Sequence, residues 1–397
     1  MADKNRKARS KTYDAVVVGA GVIGLSLAWS AARKGLKVGV VERSIPGSGA
    51  SSAAAGMLAP VGEASFGEQA LLDLNLASHA IWPDFAESLT AATGLETGYL
   101  PLGALHVAFD GDEACELHRK ADLHERSGLD SRWLEPDDCR ELEPGLAPGL
   151  VGGLFAPGDS AADPRQLVVA LESALRSSGG ELLVGQRPTA CRFDDSGVSV
   201  ETSSGEWLEA EQLVLSAGVW STGSEADWLP EALWAEVRPV KGQILELTAE
   251  PPASHQVAEH IVCGERFYAV PREDGSLALG ATVEEKGFDT EITAGAVHEL
   301  LREGYRALPD IAEMRFVAAR AGLRPTTPDN APLIGQSAEQ PRLLYATGHF
   351  RNGILLAPIT AQAISCLLAG EDPKLDLSSF RPDRFADRSG SPREVTA

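Results

Sequence analysis

The stretch Tyr13-Asp14-Ala15-Val16-Val17-Val18-Gly19-Ala20-Gly21-Val22-Ile23-Gly24 decides the fold of this chain. Tyr13 to Val18 alternates little and is rich in valine, as a strand buried on both faces requires. It runs straight into Gly19-x-Gly21-x-x-Gly24, and the apolar pattern beyond predicts a helix over Val22 to Lys34, stopped at Gly35. Leu36 to Glu42 then reads as the second strand of a βαβ unit. Glycines at this spacing are weak evidence alone. Between a strand and a helix, and with an acidic residue at 42, they make a dinucleotide-binding fingerprint. Gly19 permits the tight turn, Gly21 lets the backbone approach a pyrophosphate, and Gly24 lets the helix pack on the sheet. Val22 and Ile23 open the helix whose positive end favours the anion. Glu42, with Arg43 beside it, can accept a ribose hydroxyl.

The fingerprint serves more than one dinucleotide, so the next loop, Ser48 to Met57, has to decide between them. Its side chains are small enough for backbone to lie against a flat ring or a phosphate at Ala55, Gly56 and Met57. Ser51 and Ser52 can donate to phosphate oxygens. A merely flexible Ser/Ala loop is the alternative.

Further out, Asp163-Pro164 predicts a capped helix closing at Gly179-Gly180. Arg192 to Glu209 reads as a small antiparallel meander before the buried strand Leu213 to Gly218. Leu343 to Ala346 supplies another strand, and a helix is expected from Gly353 onward. The expected fold is α/β: a doubly wound, Rossmann-like domain over 12–75, 152–222 and 317–385. A discontinuous second domain, over 76–151 and 223–316, is expected on a mixed, mostly antiparallel sheet. Residues 1–11 and 386–397 read as flexible tails.

Composition narrows the function. The chain has 397 residues, 44% hydrophobic and 23% charged, which suits two intergrown globular domains. A net charge of −22 opposes nucleic acid and anionic membranes as partners. The basic cluster Lys4, Arg6, Lys7, Arg9 and Lys11 is read as a solvated tail, because a Gly-punctuated strand follows it where a signal peptide needs an apolar core. Cys115, Cys139, Cys191, Cys263 and Cys366 are scattered without paired spacing, which suits a reducing cytoplasm. The histidines show no metal-binding spacing, so no metal site is expected. No apolar run reaches the length of about 20 residues that a membrane span needs.

Several further stretches carry a resemblance. They are VVVGAGVIGLSLAW at the start, SSAAAGML at 51–58, SAGVWS at 216–221, PVKGQ at 239–243 and FYAVPR at 267–272, with AGLRPTTPDNAPLIG at 321–335 and GHFRNGILLAP at 348–358. Together they span nearly the whole chain, and it resembles the D-amino-acid oxidase family of flavoproteins, most of all the glycine oxidases linked to thiamine (thiazole) biosynthesis. The resemblance implies FAD as cofactor. It also implies that Gly348, His349, Phe350, Arg351, Asn352, Gly353, Ile354 and Leu355 wrap the flavin end, with the positive end of a helix starting near Gly353 beside the ring. A similar group, the sarcosine oxidases, tethers flavin to a cysteine near the AGLRP motif. Gly322 stands in what looks like that place, so FAD is expected to bind noncovalently.

An amino-acid carboxylate is best held by a planar guanidinium through two parallel hydrogen bonds. Arg324 follows an apolar run and precedes Pro325, which places it at a strand end. The family match assigns it to the substrate carboxylate, and Tyr268 and Arg351 match two further active-site positions. The implied reaction is oxidative deamination of glycine, with sarcosine and small D-amino acids as further candidates. A hydride passes from the α-carbon to flavin N5, the imine gives glyoxylate and ammonia, and dioxygen becomes hydrogen peroxide. No general base is required, and His349 reads as a residue fixed by hydrogen bonds beside the flavin. A dehydrogenase with another electron acceptor and a non-catalytic flavin subunit are the rival readings. Relatives suggest a homo-oligomer. Arg266, two residues before Tyr268, stands either at the pocket mouth, attracting a second negative group, or on a turn paired with Glu265.

Overall fold

The computed structural model describes residues 11–249 and 257–385. Its first sheet runs Leu333–Gln336, Leu343–Thr347, Trp207–Leu215, Lys11–Val18, Val38–Glu42, Glu181–Val184. All neighbours are parallel except the first pair. The strand from Lys11, the helix Val22–Arg33 and the strand from Val38 form the expected βαβ unit, and Gly35 at φ +88° ends the helix in a backbone conformation that favours glycine. Lys11 therefore opens a strand and does not belong to a tail. The other residues of the basic cluster, and 386–397, lie outside the described residues.

The valine-rich strand has two buried faces because each meets a different layer. Val17 packs with the helices Val22–Arg33, Gln69–Thr93, Pro164–Ser177 and Ala357–Leu368. Val16 and Val18 pack on the opposite side with Val198, Val200, Leu208, Trp228 and Leu233. That second layer is the meander Pro188–Phe193, Val198–Thr202 and the first half of Trp207–Leu215, together with the 218–237 segment, so strands and short turns cover this face of the sheet. The Asp163 cap is as read from sequence: its carboxylate accepts from the backbone N–H of Arg165 at 2.8 Å and of Gln166 at 3.4 Å.

The second sheet runs Arg315–Thr326, Arg238–Thr248, Ser276–Gly280, Tyr268–Pro271, Ile261–Cys263, Ala104–Ala108, Gly152–Ala156, Arg132–Leu134. It is antiparallel throughout except between Ile261–Cys263 and Ala104–Ala108. Three boundaries drawn from sequence move as a result. Gly152–Ala156 and Arg315–Thr326 stand in this sheet, so the division at 152 separates the first strand from it, that at 317 cuts the second, and the division at 75/76 falls inside the helix Gln69–Thr93. Composition could not see these shifts, because which sheet a strand joins is set by pairing with distant segments. A two-stranded ladder, Met57–Leu58 with Ser160–Ala161, lies between the two sheets in the chain. Among the described residues no helix is long and apolar enough to cross a membrane, and no cluster of His, Cys, Asp or Glu is placed to hold a metal ion.

Candidate active site

One cavity of about 1880 Å³ is lined by the carboxyl ends of the first sheet's strands and by one face of the second sheet. A pocket for a drug-sized ligand has roughly 300–1,000 Å³, so this space suits a dinucleotide with a small molecule beside it.

At the first sheet, Gly19 has φ +104°, and a Cβ there would stand 2.6 Å from the Ser216 carbonyl oxygen. A Cβ on Gly24 would stand 1.9 Å from the Gly19 oxygen, so the helix meets the turn without a side chain between them. Gly21, Val22 and Ile23 line the cavity, whereas Gly24 serves packing. The Glu42 carboxylate accepts from the backbone N–H groups of Ala20 and Ser44, each at 2.8 Å, which fixes it at the cavity wall. Arg43 stacks over the Trp220 ring at 4.1 Å and pairs with Glu225 at 3.2 Å. Ser51 Oγ accepts from the Val22 N–H at 3.1 Å, leaving its own proton to donate. Ser52 differs from expectation: it donates to the carbonyls of Ser48 at 3.1 Å and Gly49 at 2.9 Å and does not line the cavity. A short turn over Ala50–Ala53 is the reason, since it points Ser52 back at its own loop. Ala55, Gly56 and Met57 line the cavity, and buried Arg272 holds this loop through the carbonyls of Ala55 and Ala162.

Of the GHFRNGILLAP segment, His349, Phe350, Arg351, Asn352, Gly353 and Ile354 face the cavity. Gly348 packs on Thr327 instead, and buried Leu355 turns its carbonyl to Ser78 Oγ at 2.6 Å and Trp82 Nε1 at 2.8 Å. His349 Nε2 lies 3.0 Å from Thr360 Oγ1, and burial lowers its pKa to about 3, so the ring is neutral. Phe350 has φ +46°, a strained value for an aromatic residue, and its N–H is held by the Pro325 carbonyl at 2.9 Å. The helix expected from Gly353 begins at Ala357; residues 353–356 form a turn closed by Leu356 N–H on the Asn352 carbonyl at 2.8 Å. Pro358, lacking an N–H, fits the first turn of a helix, where that group has no partner to lose, in keeping with a start at Ala357.

The other end of the cavity is built by register. His106 pairs with Cys263, Cys263 with Tyr268, and Tyr268 with Gly280, so one row crosses four strands. Directly opposed residues share a face. Gly280 leaves room for the phenol, since a Cβ there would lie 2.6 Å from the ring. Burial raises the Tyr268 pKa, with the nearby Arg324 charge opposing. Arg324 donates from Nη1 to the carbonyls of Thr282 at 3.1 Å and Lys241 at 3.4 Å, and lies over Gly242. Arg351 rests near the Phe350 ring at 5.2 Å. Neither guanidinium is ion-paired to a carboxylate among the described residues. Arg266 sits on the turn between Ile261–Cys263 and Tyr268–Pro271, 60% exposed, with Glu299 at 3.9 Å and Glu265 at 4.0 Å, and it also lines the cavity, so features of both alternatives are present.

A family model described as FAD dependent oxidoreductase matches residues 14–367. The chain belongs to this family. It is 34% identical over 379 residues to a glycine oxidase of Geobacillus kaustophilus, covering 95% of this chain and 98% of that protein. A glycine oxidase of Bacillus subtilis is 31% identical, covering 94% and 97% of the two chains. The crystal structure of the Geobacillus kaustophilus glycine oxidase superposes with a TM-score of 0.88 at 34% identity, covering 94% of this chain and 99% of that one.

FAD is thus the cofactor of this oxidoreductase, and the side-chain-free floor at Gly21, the Ser51 hydroxyl and the anchored Glu42 carboxylate suit it. At Gly322 a Cβ would lie 2.7 Å from the Ala53 Cβ, leaving no space for a tethering side chain. Sequence reading missed several residues in and around this cavity. Gly242 stands within a quoted stretch and Gly280 in none, and the role of both is set by cross-strand neighbours. Lys120 donates to the Gly62 carbonyl, and Asp159 accepts from Val61 N–H at 3.2 Å and Gly62 N–H at 2.8 Å. Burial raises Asp159 to about 7. No motif marks either residue.

Proposed function

We propose that this FAD-dependent oxidoreductase deaminates glycine, with sarcosine and small D-amino acids as further substrates, and uses dioxygen as acceptor. The observation that carries this reading is the pair of guanidinium groups, Arg324 and Arg351, without carboxylate partners, facing Tyr268 across a cavity continuous with the cofactor end. Arg324, fixed by two carbonyls, offers its remaining N–H groups to the substrate carboxylate, and the Tyr268 hydroxyl adds a donor. Arg351 supplies a second positive charge that draws the anion in. FAD, held by the Gly19–Gly24 turn, Ser51 and Glu42, would supply the two-electron oxidation at the α-carbon and the return of those electrons to dioxygen as hydrogen peroxide. The imine adds water and yields glyoxylate and ammonia. The neutral His349 ring, held by Thr360, shapes the wall and supplies no base. In this reading the first sheet with its helices carries the cofactor, and the second sheet carries the substrate.

The test is anaerobic mixing of the yellow holoenzyme with glycine, sarcosine and D-alanine, followed by air. Bleaching by glycine and recolouring by air supports the oxidase. Bleaching that air does not reverse points to another acceptor, and no bleaching by any of the three refutes the reading.

A further inference from the structure

Lys241 and Gln243 flank Gly242 in the PVKGQ stretch, and the reaction derived above uses neither side chain. Both are buried, Lys241 completely. Alternation along the strand Arg238–Thr248 puts their side chains on the face opposite Gly242, away from the Arg324 guanidinium. There they hold the irregular segment 281–293, which joins the strand Ser276–Gly280 to the helix Ala294–Ala307. Lys241 Nζ donates to Asp289 Oδ2 at 2.9 Å and to the Glu291 carbonyl at 2.5 Å. Gln243 clasps both ends of the segment: its Nε2 donates to Glu284 Oε1 at 2.7 Å, and its Oε1 accepts from the Thr293 N–H at 2.9 Å. A buried ammonium is tolerated where it is paired and hydrogen-bonded, so this one is committed to the segment.

The start of the same segment reaches the cavity face. Lys241 and Glu284 exchange backbone N–H bonds with each other's carbonyls, each at 2.9 Å, and the Thr282 N–H donates to the Gln243 carbonyl at 3.2 Å. Thr282 Oγ1 accepts from the Gln243 N–H at 2.9 Å and donates to Glu284 Oε1 at 2.6 Å. Thr282 is thereby fixed, and its carbonyl is turned to Arg324 Nη1 at 3.1 Å. The other acceptor of that nitrogen is the Lys241 carbonyl at 3.4 Å. Both groups that orient Arg324 therefore belong to the joint that Lys241 and Gln243 lock.

We propose that Lys241 and Gln243 are positioning residues for substrate binding. From the far face of the sheet they lock the 281–293 segment, and through the Thr282 carbonyl that lock sets the guanidinium of Arg324 in the cavity. The inference rests on Arg324 as the group that receives the substrate carboxylate. Neither positioning side chain touches the substrate.

The test titrates the flavin absorbance of the holoenzyme with acetate, a carboxylate with no amine to oxidise. Wild type, Lys241→Met, Gln243→Leu and Arg324→Ala are compared with the two double variants that add Arg324→Ala, all at full flavin content. Lys241→Met and Gln243→Leu should each weaken acetate binding about tenfold and raise KM for glycine by a similar factor, as misplacement of a positioned group does. In the Arg324→Ala background the same substitutions should change acetate affinity by less than about twofold, because the group they orient is gone. A lowered melting temperature with acetate affinity kept within about twofold in both single variants overturns the proposal, since the lock then serves stability alone. Equal losses with and without Arg324 overturn it as well. If Arg324→Ala itself leaves acetate binding unchanged, the carboxylate assignment fails and the proposal with it. An Arg324 effect without a Lys241 or Gln243 effect removes the proposal and spares that assignment. Should either variant lose its flavin, Asp289→Ala, which cuts the same lock at a side chain 40% exposed, takes its place.

Discussion

The guanidinium of Arg324 occupies the space where a side chain at Gly242 would be: a Cβ on Gly242 would stand 2.3 Å from Nη1 and 2.4 Å from Nη2. Gly242 pairs across the sheet with Gly322, and Arg324 lies two residues further along the same face, so the arginine folds back diagonally over bare backbone. Gly242→Ala should therefore displace Arg324 and raise KM for glycine at least about tenfold, or ~1.4 kcal/mol, with FAD retained. Arg324→Ala should cost more, about 2–5 kcal/mol in kcat/KM. Steady-state kinetics on flavin-replete protein check both, and an unchanged KM in Arg324→Ala would remove it from the substrate site.

Tyr268 is predicted to stay protonated through the working pH range, because burial raises its pKa above the ordinary value. Tyr268→Phe should lower kcat/KM while leaving any alkaline limb of the pH profile below pH 10 in place. A limb that vanishes in the variant would show that the phenol itself titrates there.

His349 ties stability to pH. Its folded pKa, about 3, lies below the ordinary histidine value, so the unfolded chain takes up a proton at a pH where the folded protein does not. The stabilisation is complete above the unfolded value and is lost as pH falls from there toward the folded one. Asp159, raised to about 7, acts in the opposite sense between its ordinary carboxylate range and 7. Burial lowers His106, His124 and His79 in the same sense as His349, so the wild-type profile mixes all of these, and the difference between wild type and His349→Gln isolates the one ring. Lowering pH from 7.5 to 5.5 should cost wild type about 1 kcal/mol more than the variant. Urea unfolding at the two pH values measures it, and equal losses would contradict the buried neutral ring.

Acid precipitation of the holoenzyme should leave a colourless pellet and a yellow supernatant, since Gly322 offers no sulfur and no space for one. Colour in the pellet would reveal an attachment elsewhere.

The cofactor end was more legible in sequence than the substrate end, for a physical reason. A turn that needs φ +104° at Gly19, and contact as close as that of Gly24 on Gly19, leaves glycine as the residue that fits, so the constraint shows in the letters. Ser52 was misplaced because a single serine in a short turn can face either way, and neighbours decide. The helix after Gly353 was dated four residues early because an apolar run does not reveal where the hydrogen-bonding pattern becomes regular. Lys120, Asp159, Gly242 and Gly280 come to the site through strand register and helix placement between segments far apart in the chain. His106 meets Cys263 in that way, and no local spacing encodes it.

The crowding at Gly322 also bears on ancestry. A mutation to cysteine there would collide with the Ala53 Cβ before its sulfur could reach a ring, so the Ala50–Ala53 turn would first have to give way. A tether at this position therefore asks for a change at residue 322 and a shift of the turn that faces it. While this turn holds, a tether at position 322 is closed to the chain, and a cofactor bound without one can leave as well as arrive.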